Sequence, residues 1–223
     1  MKTLIAILAL LAVWLGYYIY QADKVSFLRS NAEAGDPDAQ YRLGQLYLGG
    51  GVSILQDFEE SAKWYRKAAD QGHAEAQSCL GVLYGYGWGV PQDLAESAKW
   101  WRKAAEQGDA NAQDRLGGKY YEGEGVPKDY VEAVKWYRKA AEQGWIGAQS
   151  ALGSMYLNGA GVPKDDVEAW AWFSGTETSD NDRKKLRKLW ETLTGEQKAR
   201  AFQRSIELRK EIEAKIAAKK AVK

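Results

Sequence analysis

Apolar residues recur along this chain at helical spacing, and the pattern itself repeats. In the stretch from Asp109 to Gly144, Ala112, Leu116 and Tyr120 fall four apart and predict a helix with one apolar stripe. Ala133, Trp136, Tyr137, Ala140 and Ala141 predict a second helix. Between them lies Gly123-Glu124-Gly125-Val126-Pro127-Lys128-Asp129. Its glycines and proline end the first helix, and Asp129 stands where a residue would cap the second. Gly144, just after Gln143, reads as the second helix's stop.

The same hairpin occurs again and again. Lys63-Trp64-Tyr65-Arg66-Lys67-Ala68-Ala69, Lys99-Trp100-Trp101-Arg102-Lys103-Ala104-Ala105 and Lys135-Trp136-Tyr137-Arg138-Lys139-Ala140-Ala141 stand 36 residues apart. Leu43-Gly44 with Tyr47, Leu80-Gly81 with Tyr84, and Leu116-Gly117 with Tyr120 precede them. A fourth copy, Leu152-Gly153 with Tyr156, leads to Trp172-Phe173 and then loses Lys-Ala-Ala for Ser174-Gly175-Thr176. Upstream, Phe27, Ala32 and Gly35 match Trp64, Ala69 and Gly72 at an offset of 37, which makes a half repeat. A period of this size predicts an all-α, α/α solenoid of helix hairpins, each burying its apolar face against its neighbours. A glycine inside the first helix costs about 1 kcal/mol relative to alanine. Its recurrence at Gly44, Gly81, Gly117 and Gly153 points to a close approach by another helix.

Several motif positions hold their register: Ala39-Gln40, Leu43-Gly44, Tyr47, the Gly-x-Gly-Val-Pro loop, the Trp-Tyr-x-Lys-Ala-Ala run and the closing Gln-Gly. Through them the chain resembles the Sel-one-like repeat family, relatives of the tetratricopeptide repeats, from about Val25 to Trp172. Tetratricopeptide units share Leu-Gly-x-x-Tyr but have a period of about 34 and lack this longer glycine loop. The resemblance implies a tetratricopeptide-like superhelix that scaffolds protein complexes. The organisation expected is an N-terminal segment over 1–22, a half repeat over 23–35, repeats over 36–72, 73–108 and 109–144, a divergent repeat over 145–180, and basic capping helices over 181–223.

The two ends differ from the array. Thr3 to Tyr20 is an apolar run of about 18 residues behind Lys2, longer than the core of a secretory signal and near the length that spans a bilayer. Trp14, Tyr17, Tyr18 and Tyr20 resemble an interfacial aromatic belt. Tyr20-Gln21-Ala22 is a poor cleavage site, so an uncleaved single-pass anchor is expected, with a cleaved signal as the alternative. Lys2 favours a cytoplasmic N-terminus, which would put the repeats in the periplasm of a bacterial source.

Formal net charge is +1, but it is unevenly spread. Residues 183–223 hold 14 Lys/Arg against 5 Asp/Glu, and the remainder is net acidic. Leu186, Leu189, Trp190 and Leu193 predict an apolar stripe on the first tail helix. Thr194-Gly195-Glu196-Gln197 reads as a capping box for the second, whose stripe is expected through Ala199, Phe202 and Ile206, with Lys219-Lys220 frayed. Such a tail suits a cap on the last hairpin, or contact with anionic lipid or an acidic protein. An acidic body makes nucleic acid a poor partner.

Catalytic and metal chemistry have little to work with. There is one histidine, His73, one cysteine, Cys79, and no Ser-x-x-Lys or Gly-x-Ser-x-Gly motif. No disulfide can form within the chain, and the glycine loops follow helices and lack the lysine of a phosphate loop. No cofactor is expected, and an enzyme acting on cell-wall or β-lactam substrates is the weaker alternative to a binding role. Candidate contact residues are aromatics outside the repeat pattern, which suit interface hot spots: Tyr86 and Trp88 in Gly85-Tyr86-Gly87-Trp88-Gly89, and Trp145 in an inter-repeat turn. A second set lies at variable polar positions of the first helices, the inner wall of a solenoid: Arg42, Gln45, Asp114, Arg115 and Lys119, with Ser78, Ser150 and Ser154. The partner expected is a protein or peptide.

Overall fold

The computed structural model describes residues 23–50, 54–175 and 180–221, and every regular element among them is a helix. The expected anchor or signal over 1–22 lies outside the described residues. No helix among those described is long and apolar enough to cross a membrane. The chain falls into two compact units, with the division between Trp100 and Trp101. The first unit holds α1 (23–33), α2 (Pro37–Gly49), α3 (Phe58–Asp70), α4 (Ala74–Tyr86) and the start of α5 (Leu94–Glu106). The second holds the end of α5, α6 (Ala110–Glu122), α7 (Tyr130–Ala141), α8 (Ile146–Asn158), α9 (Asp166–Phe173), α10 (Asp180–Thr192) and α11 (Gly195–Ala221).

Three of the hairpins close where a glycine meets a ring. A Cβ on Gly44 would stand 2.7 Å from the Tyr65 ring, on Gly117 2.8 Å from Tyr137, and on Gly153 2.9 Å from Phe173. The approach inferred from the recurring glycines is therefore made by the second aromatic of the Trp-aromatic pair. Next to it, Ser61 Oγ donates to the Gly44 carbonyl at 2.9 Å and Ser97 Oγ to that of Gly81 at 2.6 Å.

The Ala-Gln pair joins successive hairpins. Ala39, Ala76, Ala112 and Ala148 are buried, as are the glutamines that follow them. Gln40, Gln77, Gln113 and Gln149 donate Nε2 to the carbonyls of Ala32, Ala69, Ala105 and Ala141 at 3.0 to 3.2 Å. Those carbonyls lie near helix C-termini, and each already accepts the N–H of the turn glycine that follows, Gly35, Gly72, Gly108 or Gly144, at 2.9 to 3.2 Å. The glutamine takes the second lone pair and so has its own buried amide satisfied. Arg29, Arg66 and Arg138 reach Tyr47, Tyr84 and Tyr156 of the following helix, and Arg102 reaches Tyr120. Asp57, Asp129 and Asp165 cap α3, α7 and α9 through their side chains.

The loop glycines have separate duties. Gly87 takes φ +73° and ends α4 in the left-handed conformation. Gly89 crosses the start of α3, where a Cβ would lie 2.1 Å from the Phe58 carbonyl carbon. Gly161 crosses the start of α7 in the same way, 2.3 Å from the Tyr130 carbonyl oxygen.

The half repeat departs from the offset match. Ala32 is buried, but Phe27, aligned with buried Trp64, is 71% exposed. In the tail, the capping box forms: Thr194 N–H donates to Gln197 Oε1 at 2.9 Å, and Gln197 N–H to Thr194 Oγ1 at 3.3 Å. Leu189 and Leu193 are buried against α9, and Trp190 packs on Trp170 with centroids 4.8 Å apart. The stripe expected on α11 is wrong: Ala199, Phe202 and Ile206 face water, whereas Ala201 and Leu208 are buried. The helix is turned by what it packs against, since Arg204 pairs with Glu168 of α9 at 2.6 Å. Lys219 is not frayed either; its ammonium donates to the Gly108 carbonyl at 3.2 Å and to Gln143.

Adding a methyl at Gly44 sets about 1 kcal/mol of helix propensity against overpacking that costs typically 1–3 kcal/mol. Tyr65 is fully buried and has no room to retreat. Gly44→Ala is expected to lower stability by about 1–2 kcal/mol in urea denaturation. Gly118→Ala, whose Cβ meets only Tyr137 Oη at 3.5 Å, is expected to leave it unchanged or raise it.

Candidate interaction surface

In the first unit the loop after α4 carries an aromatic stack. Because Gly89 lies on the Phe58 backbone, Trp88 is brought over the Phe58 ring, with centroids 5.7 Å apart and planes 24° apart. Tyr86 also stacks on Trp88, at 5.0 Å and 22°. Tyr86 stays 66% exposed and Trp88 43%. The rings are thus fixed by one another and by the start of α3, yet hold a large area in water. Phe58 was not legible as part of this set. Its signal was a ring at the first position of α3, where α9 has Asp166. On α2, Arg42 and Gln45 are exposed, and the Gln45 amide donates to Tyr41 Oη at 2.8 Å. Ser78, expected on an open face of α4, is buried.

The second unit brings Trp145 and Asp114 together. Trp145 occupies the N-cap position of α8, where α2, α4 and α6 place Asp36, His73 and Asp109 as side-chain acceptors; it caps nothing through its side chain. Its indole N–H donates instead to the Asp114 carboxylate. Burial holds that carboxyl above the usual carboxylate range, opposed by the Trp145 hydrogen bond and by the Arg115 charge. Trp145 is 38% exposed and Ile146 43%, so an apolar edge flanks a polar pair. Arg115 is exposed. Lys119 is not available in the same sense: it is half-buried and pairs with Glu124 at 2.6 Å. A further exposed pair, Tyr121 and Tyr130, meets at 5.2 Å with Lys128 over the Tyr130 ring.

His73 serves the fold: Nδ1 accepts from Ala76 N–H at 3.3 Å and the ring stacks on Tyr41 at 4.6 Å. Among the described residues no group of three or more His, Cys, Asp or Glu is placed to hold a metal ion. The surfaces described offer rings, amides and isolated charges, groups suited to recognition of another chain.

The Sel1 repeat family matches four times, over 37–73, 74–109, 110–145 and 146–174, more than half of the sequence. The chain belongs to the Sel1 repeat family. Sel1 repeat proteins are helical protein-interaction scaffolds, and the fold is typically non-enzymatic. Among solved structures, it is similar to c5321, a protective antigen present in uropathogenic Escherichia coli strains with an SLR fold, at 36% identity and a TM-score of 0.76, over 89% of this chain and 43% of that one. It is also similar to a Sel1 repeat protein from Oxalobacter formigenes, at 35% identity and a TM-score of 0.69, over 75% of this chain and 49% of that one. It spans less than half the length of either structure. No curated protein matches it.

A carboxyl whose folded pKa lies above its unfolded value supports the fold when protonated, and that support is lost as pH rises through the folded pKa. Asp114→Asn keeps an acceptor for Trp145 and removes the buried charge. The variant is therefore expected to be at least as stable as the parent at pH 7, with its advantage shrinking as the pH is lowered to 4. Urea midpoints at the two pH values measure this; an advantage that grows on acidification would contradict the burial account.

Proposed function

We propose that this Sel1 repeat chain is a membrane-anchored scaffold that binds another protein outside the cytoplasm, with the repeats on the periplasmic side of a bacterial inner membrane. The observation that carries the binding role is the stack of Tyr86 and Trp88 on Phe58, exposed yet fixed in place. Rings held rigid in the free protein lose little conformational entropy on binding, which is what an interface anchor requires. Secondary contacts are taken unit by unit: Arg42 and Gln45 in the first, and Trp145 with Ile146, Asp114 and Arg115 in the second, where Lys119 is engaged by Glu124.

The apolar run from Thr3 to Tyr20 supports the anchor, and the likeness to a bacterial protective antigen is compatible with a place outside the cytoplasm. A secreted form, cleaved near Ala22, is the other arrangement of the same array. The exposed Arg183, Lys184, Arg187 and Lys188 of α10 suit a contact with anionic lipid or an acidic protein.

Tyr86→Ala with Trp88→Ala is expected to reduce the captured partner by tenfold or more, about 1.4 kcal/mol, in crosslinking from native membranes. Its melting temperature should fall by no more than a few degrees, because both rings lie at the surface. Unchanged capture, or a collapse in melting temperature, would remove the aromatic edge from the interface. Mass spectrometry of the membrane-derived protein tests the anchor: it should retain residues 1–22, and their loss means secretion.

A further inference from the structure

The last turns of α11 lie on a ledge built from inter-repeat turns of the second unit. Lys215 pairs with Glu142 at 2.8 Å. Ile216 sits against Gly144, its Cδ1 3.1 Å from where a Cβ would stand. Lys219 takes the Gln143 side-chain oxygen and the Gly108 carbonyl, while Gln143 Nε2 is held by Gln113 at 2.7 Å. A cleft of about 400 Å³ follows this contact, lined by Gln113, Glu142, Gln143 and Ile216 among others. The ledge thus reads a helix with the spacing Lys-Ile-x-x-Lys by one carboxylate, one bare glycine and two oxygen acceptors.

The repeat generates the same ledge in the first unit. Two periods upstream, Asp70 stands for Glu142, Gln71 for Gln143, Gly72 for Gly144 and Gly35 for Gly108. Gln71 Nε2 donates to Gln40 Oε1 at 2.8 Å, as Gln143 does to Gln113, and also to the Gly35 carbonyl at 3.0 Å. Asp70, Gln71 and Gly72 are exposed. Where Ile216 fills the space at Gly144, no atom of the described residues beyond Gly72 and its chain neighbours lies within 4 Å of a Cβ position on Gly72. The first ledge therefore repeats the recognition groups of the second, and among the described residues no helix lies on Gly72.

We propose that the ledge at Gly35, Gln40 and Asp70 to Gly72 docks a basic amphipathic helix of a partner protein. It takes the Lys-Ile-x-x-Lys spacing of α11, with one lysine on Asp70, the isoleucine on Gly72 and the second lysine on Gln71. This is the helix-on-groove mode of recognition, with α11 as a built-in example of its occupant. It rests on the reading of the chain as a protein-binding array, but uses a different surface from Tyr86 and Trp88.

A fluorescein-labelled peptide of residues 203–221, titrated with the full chain at low salt, tests it by anisotropy. Saturable binding is expected, weakened about fivefold or more by Asp70→Lys in the chain, or by Lys215→Glu with Lys219→Glu in the peptide. Asp70 is exposed at the end of α3, where lysine also suits the helix dipole, so folding is retained. No saturable binding overturns the proposal. So does binding that survives Asp70→Lys and is lost in Glu142→Lys, which would be exchange with α11. Sedimentation of the chain alone should give a monomer; a dimer abolished by Asp70→Lys would assign the ledge to a second copy. Tyr86→Ala with Trp88→Ala should leave peptide binding unchanged, so a failed ledge and a failed aromatic edge are told apart.

Discussion

The two helices of a hairpin approach so closely that one of them must present a bare backbone to the other's ring. Gly44 with Tyr65, Gly117 with Tyr137, and Gly153 with Phe173 are three instances of that contact. Each glycine gives up helix propensity, about 1 kcal/mol, and each large ring recovers more than that through burial. Once the distance is set, other groups fall within reach. Ser61 meets the Gly44 carbonyl, and Gln40 and Gln77 meet carbonyls at the end of the preceding helix. A bulkier first helix would move these partners apart and leave buried polar groups unsatisfied, which is the costlier fault.

A core closed by alanine, glycine and stacked rings leaves the outside to vary. Gly89 and Gly161 hold their loops on the starts of α3 and α7, so the side chains of those loops are displayed on a fixed frame. At the loop after α4 those side chains are Tyr86 and Trp88; at the loop after α6 they are Glu122 and Glu124, and Glu124 pairs with Lys119. Equivalent loops, each opened by a left-handed glycine, therefore show an aromatic edge after α4 and an ion pair after α6. Function in such an array is a matter of what each copy places at equivalent positions, and the scaffold itself stays constant.

The tail uses that constancy differently. α11 does not simply cover the end of the last hairpin with a hydrophobic stripe. It buries Ala201 and Leu208, pairs Arg204 with Glu168, and then runs on so that Lys215 and Lys219 meet Glu142, Gln143 and Gly108. Separation of charge between an acidic array and a basic tail becomes, in the folded protein, a set of particular contacts. Exposed pairs of this kind are weak singly, and here they add to a packed isoleucine and a carbonyl contact along one helix face.

How much of this was legible from the amino acids follows from how far each interaction reaches along the chain. The hairpins, the capping by Asp129, the capping box at Thr194 and the need for a near neighbour at Gly117 all depend on residues within one period. Repetition multiplied each local signal until it was unambiguous. The periodic Trp and Ala could be assigned to the core, and Tyr86, Trp88 and Trp145 to the surface, because a residue that breaks a repeat has not been chosen by the seam. What the sequence could not fix was the face of α11, the burial of Ser78 or the exposure of Phe27, nor that Trp145 would find Asp114. Those depend on which neighbour arrives from a distant part of the chain, and side chains compatible with several faces are settled only by that neighbour's shape and charge. The sequence by itself determined the repeat and its internal contacts; only the tertiary structure decided which polar turns meet a helix and which are left open, because that choice is made by packing between elements that no local period links.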